Sequence, residues 1–333
     1  MRAYVVTAPR TGGVQVVDPP AAAPGEVVVD VARVGVCGTD LEFYTGAMQY
    51  LASGRSSYPM RLGHEWCGRV VALGEGVDPW WLGRRVVGDT MLGCGTCERC
   101  WAGKHHVCER LVEVGISLGR PGALAEQIAV PATSLHVLPD SVDDAAGAMV
   151  EPGGNAWRAA TAASVGEGQR ALVCGPGTIG LLVALFLRAS GVEVQLVGEP
   201  GRTEFAAGLG FDVWTADTLP VVPWHAVVDA STADFMPARA VELVEPGGRV
   251  VSIGLSRTAS VVDTRTAVLK DVTLVGVLGG SAGLDPAIEA YASGAVDPRP
   301  LIGAVVGLAD AGPVLGGTVR TGGAPKTHID PRK

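Results

Sequence analysis

The sequence predicts an α/β protein in two parts, a β-rich first part followed by a doubly wound parallel sheet. Three observations predict it. Before residue 140 the hydrophobic pattern has a period of two; beyond residue 152, short buried-type strands alternate with helices; and a glycine turn joins the first of those strands to an apolar helix. A chain of 333 residues exceeds one ordinary core, so two domains are expected.

Val27, Val29 and Val31 alternate with Val28 and Asp30, and the run breaks near Gly35 and Gly38. Residues 68–73 and 85–87 read as further strands, separated by turn clusters such as Gly74-Glu75-Gly76. In the second part, strands are expected at 170–174, 192–197, 226–230, 249–253 and 272–278. Helices are expected at 178–190 and 233–244, the latter closed by Pro246-Gly247-Gly248. The residues after 284 are rich in Pro and Gly and cannot form a domain alone. The expected division is therefore 1–151 with 285–333, and 152–284.

The composition is 47% hydrophobic and 18% charged, which fits a buried globular core and argues against disorder. A net charge of −8 with no basic run disfavours nucleic acid as a partner. No apolar stretch is long enough for a membrane span, and the chain enters a strand pattern at Ala3 without signal-peptide features. A cytoplasmic location is expected, where seven cysteines serve as thiols or metal ligands.

Four of those cysteines, Cys94, Cys97, Cys100 and Cys108, form C-x2-C-x2-C-x7-C. Four thiolates close a tetrahedral zinc shell and leave no position for substrate, so this site is read as structural. An iron–sulfur cluster is the rival. No proline follows Cys108 and no second cysteine set exists, which favours zinc. His105 and His106 are expected to be exposed residues of this lobe, since the thiolates already saturate the ion.

A mixed set of donors lies elsewhere: Cys37 in Val36-Cys37-Gly38-Thr39-Asp40, His64 and Glu65 in Gly63-His64-Glu65, and Glu151 before Pro152. Such donors can leave a metal position open for water or substrate, although no spacing rule joins them. Cys174-Gly175-Pro176-Gly177-Thr178-Ile179-Gly180 contains G-x-G-x-x-G between an expected strand and helix. The glycines admit a pyrophosphate, and the helix N-terminus favours its charge. Glu199 after the second strand suits the ribose hydroxyls of NAD, while Arg202 leaves NADP open.

From Gly63 to Val77, with Gly68 and Gly74 between, the chain resembles the zinc-dependent medium-chain alcohol dehydrogenases. The C-G-T-D segment, the cysteine lobe and the dinucleotide turn follow in that family's order. The resemblance implies a GroES-like catalytic domain, a Rossmann cofactor domain, two zinc ions per chain and NAD(P). It implies Cys37, His64 and Glu151 as catalytic zinc ligands, with Glu65 able to enter the shell. A carboxylate at 151 points to the polyol and sugar dehydrogenase branch, in which Glu65 can ligate directly; which of the two does so stays open. Asp40 would orient His64, and Thr39 would relay the alcohol proton, while Glu42 stands where some relatives have a relay histidine. The implied reaction passes a hydride between a polyol, sugar or cyclitol hydroxyl and the nicotinamide, and a homodimer or homotetramer is expected. Two other readings remain, a zinc-free double-bond reductase of the same superfamily and a non-enzymatic zinc-binding module.

Overall fold

A computed structural model describes residues 1–319 and 321–333, which fall into two compact units. The first comprises Met1–Glu151 with Ala287–Lys333, the second Pro152–Pro286.

A seven-stranded sheet organises the first unit. Its order is Ile302–Gly307, Lys326–Asp330, Glu26–Gly35, Glu65–Leu73, Arg85–Gly88 and Leu135–Val137, with Gln127–Pro131 also paired to Glu26–Gly35. The valines of strand Glu26–Gly35 explain its central place: Val27, Val29, Val31 and Val34 are fully buried, so this strand can be covered on its core face and paired along both edges. Its last residue, Gly35, pairs with Glu65 on one side and His328 on the other. A Cβ at Gly35 would lie 2.3 Å from Oε2 of Glu65, so only glycine leaves room for that carboxylate.

The second unit is a six-stranded, wholly parallel sheet. The order is Asp212–Trp214, Glu193–Val197, Arg170–Cys174, Trp224–Asp229, Val244–Ser252, Thr273–Gly276. In chain order this is 3-2-1-4-5-6, the doubly wound arrangement in which the order reverses between the first and fourth strands. The reversal leaves a crevice beyond the ends of Arg170–Cys174 and Trp224–Asp229. One local expectation fails. Pro246-Gly247-Gly248 does not end the preceding helix, which stops at Leu243. Buried Val244 already pairs with Trp224, and the glycines loop out before pairing resumes at Arg249.

Among the described residues, no helix is long and apolar enough to cross a membrane.

Candidate active site and metal centres

Cys37 follows the central strand and begins the helix Gly38–Thr45. The backbone N–H of Cys37 donates to Asp40 Oδ2 at 2.9 Å, and that of Gly63 donates to Asp40 Oδ1 at 3.2 Å. Asp40 therefore ties two distant segments together from a fully buried position. His64 follows Gly63, whose φ of 96° lies in the left-handed region that glycine enters at little cost. Its Nδ1 lies 3.4 Å from Asp40 Oδ1.

This folding brings one donor atom each of Cys37, His64 and Glu65 within 4.8 Å of one another. The field there favours cations. Burial opposes the charged imidazole, yet Asp40 and Cys37 outweigh it and raise the His64 pKa well above its ordinary value. Burial likewise works against the Asp40 carboxylate, but His64 and the two backbone donors hold its pKa low. A thiolate, an imidazole and a carboxylate in such a field fit a zinc ion with an open position. Glu151 is buried in the first turn of helix Val150–Ala163 and is not part of that tight donor group. Thr39 lies half-buried in the first turn of the helix that Cys37 opens.

The second cluster is Cys94, Cys97, Cys100 and Cys108, whose sulfurs also lie within 4.8 Å of one another. Cys97 and Cys108 are 3.7 Å apart. That matches the edge of a tetrahedron, about 3.8 Å, drawn around zinc at a bond length of about 2.3 Å. The amides of Cys94 and Arg110 donate to Cys108 Sγ, and that of Thr96 to Cys94 Sγ. Such donors stabilise thiolates. Hydrogen bonds from the Thr96 hydroxyl and then its amide hold the Cys94 pKa at about 5.

In the second unit, the G-x-G-x-x-G turn joins strand Arg170–Cys174 to helix Thr178–Ala189, with Gly177 at its N-cap. Gly175 has φ 91°, and a Cβ at Gly180 would lie 2.0 Å from the Gly175 carbonyl oxygen. Thr178 and Ile179 open the helix, and Glu199 and Arg202 are exposed beyond the neighbouring strand. This cradle fits a pyrophosphate, whose charge the helix N-terminus favours. Gly180→Ala is expected to abolish NAD binding, measured by quenching of protein fluorescence. Retained affinity would show that the turn tolerates a methyl group and that this cradle is misassigned.

Residues 23–140 match the alcohol dehydrogenase GroES-like domain. The chain is 38% identical over 301 residues to a 2-dehydro-3-deoxy-L-galactonate 5-dehydrogenase of Pseudoalteromonas atlantica, covering 86% of each protein. The chain belongs to the zinc-dependent medium-chain alcohol dehydrogenase family. It is also 27% identical to an L-threonine 3-dehydrogenase of Rhizobium rhizogenes over 93% of each chain. The fold matches that of an Escherichia coli CFT073 alcohol dehydrogenase solved with NADH, at a TM-score of 0.90, 25% identity and 99% coverage of both. This dehydrogenase is thus an NAD(P) oxidoreductase that interconverts alcohols and carbonyl compounds, and its α/β architecture is that of the family.

Two parts of the dehydrogenase's site escaped the sequence. Lys326, on the strand Lys326–Asp330, is fully buried and donates to Glu65 Oε1 at 2.8 Å, to Oε2 at 2.6 Å and to the Val36 carbonyl at 3.1 Å. Burial disfavours its ammonium, yet Glu65 and Cys37 outweigh that and raise its pKa. Of His105 and His106, both expected as exposed residues of the lobe, His105 stays partly exposed and only His106 does not. His106 is buried, and His105 Nε2 meets Asp89 Oδ2 at 2.7 Å.

Proposed function

We propose that the chain oxidises a secondary hydroxyl of a polyol, sugar or cyclitol, with a sugar acid as the preferred substrate and NAD as the hydride acceptor. The observation that carries this reading is the convergence of Cys37, His64 and Glu65 on one buried point. The relative named for a deoxygalactonate directs the substrate class towards sugar acids.

Cys37 and His64 would hold the catalytic zinc, with Glu65 or Glu151 supplying a carboxylate. Bound there, zinc supplies Lewis acidity to the substrate hydroxyl. Asp40, whose Oδ1 lies 3.4 Å from Nδ1 of His64, would orient the imidazole from behind and leave the other ring nitrogen to ligate. Thr39 accepts the hydroxyl proton and passes it outward. Lys326 holds both oxygens of Glu65 and so competes with the metal for that carboxylate. Gly175, Gly177 and Gly180 admit the cofactor pyrophosphate, and Glu199 accepts hydrogen bonds from its ribose, which favours NAD; Arg202 is the residue that NADP would engage. Cys94, Cys97, Cys100 and Cys108 would hold the structural zinc.

The edge strand Thr273–Gly276 leaves one side of its backbone ladder open, with Leu274 47% and Leu278 49% exposed. A homodimer that pairs this edge, alone or within a homotetramer, would cover it. Seven free thiols suit the reducing cytoplasm.

The test is cofactor reduction by zinc-loaded protein. NAD and NADP would each be offered with 2-dehydro-3-deoxy-L-galactonate, aldonates, polyols, cyclitols and L-threonine. Chelator-sensitive turnover of a sugar acid with NAD is expected. Turnover of L-threonine alone would overturn the substrate assignment.

A further inference from the structure

The two metal centres are joined by a short chain of contacts. In the cysteine lobe, the Cys108 amide donates to the His105 carbonyl at 3.0 Å. A Cβ at Gly93 would meet both the His105 Cβ at 2.6 Å and Cys100 Sγ at 2.8 Å, so this histidine is packed tightly against the lobe. Its ring reaches out to Asp89. Asp89 is buried and fixed on its other side, where Oδ1 accepts from the Met91 amide at 2.9 Å and the Asp89 amide donates to the Ser134 carbonyl at 2.7 Å. The next residue, Thr90, is 2% exposed, and its hydroxyl donates to the carbonyl of His64 at 3.0 Å.

We propose that Asp89 and Thr90 are positioning residues through which the four-cysteine lobe sets the place of His64, and hence the catalytic metal's affinity. This rests on the catalytic site assigned above. Asp89 and Thr90 share a peptide bond, so a lobe that loosens, and carries His105 with it, releases the restraint on the very segment that grips the His64 backbone. The ring of His64 is oriented by Asp40 and its main chain by Thr90. Loss of the second restraint leaves the imidazole free to drift from the geometry that the first one sets. A lobe that merely stabilised the fold would not act on His64 in this way.

The test uses holoprotein carrying zinc in the lobe and Co(II) at the catalytic site. The visible absorption of Co(II) and its rate of release to a chelator are compared in the parent, Thr90→Val, Thr90→Ser, His105→Leu and the Thr90→Val/His105→Leu double variant. Thr90→Val and His105→Leu are each expected to alter the spectrum and to speed release about ten-fold, whereas Thr90→Ser, which keeps the hydroxyl, stays within about two-fold of the parent. The double variant should release no faster than the more affected single one, because both break one chain. Unchanged spectra and release rates, even with lowered stability, would overturn the proposal, as would effects that multiply in the double variant. Should His105→Leu not fold, Asp89→Asn takes its place with the same expectations. A parent that binds a single metal ion per chain would instead defeat the assignment of the catalytic site.

Discussion

Cys37→Ser removes hydride transfer while leaving the lobe zinc in place. A serine hydroxyl is a poor substitute for a thiolate ligand, and on the proposed assignment Cys37 would hold the metal that acts on substrate. Losing that action is worth about 4 kcal/mol of barrier, or about three orders of magnitude in rate. Steady-state NAD reduction and metal analysis of the same sample check both halves. Activity within a factor of a few of the parent would remove Cys37 from the site.

In protein stripped of the catalytic metal, Lys326→Met is expected to destabilise the fold by about 3–5 kcal/mol, because Glu65 then has neither the ammonium nor a metal ion to balance its charge in the interior. Both groups are almost fully buried, and the ammonium satisfies both carboxylate oxygens. The double variant Lys326→Met with Glu65→Gln should recover much of the loss, since the uncompensated charge is gone. Denaturant midpoints at constant slope read the difference. A single variant as stable as the parent would mean that the pair contributes nothing to the fold, and that Lys326 does not govern Glu65.

The parts legible in the sequence were those whose partners lie close along the chain. The run Arg170–Cys174 and its glycine turn declare a strand, a tight turn and a helix within twenty residues, and the parallel doubly wound sheet follows. The four cysteines lie within fifteen residues, so their spacing alone describes a closed shell. Lys326 is different. Its partner Glu65 is 261 residues away, and the segment Lys-Thr-His-Ile-Asp has a single aliphatic residue to mark it as a strand. Lys326, Thr327 and His328 are nonetheless buried, because an ion pair and sheet pairing replace the hydrophobic face that a pattern would reveal. Asp89 is likewise buried by a polar contact: the fold places its carboxylate 2.7 Å from the partly exposed imidazole of His105, 16 residues away. Sequence joins Cys37, His64 and Glu65 only through resemblance, since their convergence depends on Asp40 bridging two segments through Cys37 and Gly63.

The most direct test of the central claim is the zinc content of the purified protein before and after brief treatment with a chelator, with NAD-dependent oxidation of a sugar acid followed in parallel. Two zinc ions per chain are expected, of which the one proposed at Cys37 and His64 is lost first together with all activity, and activity should return when zinc is restored. Full turnover from protein stripped of that ion would contradict that claim.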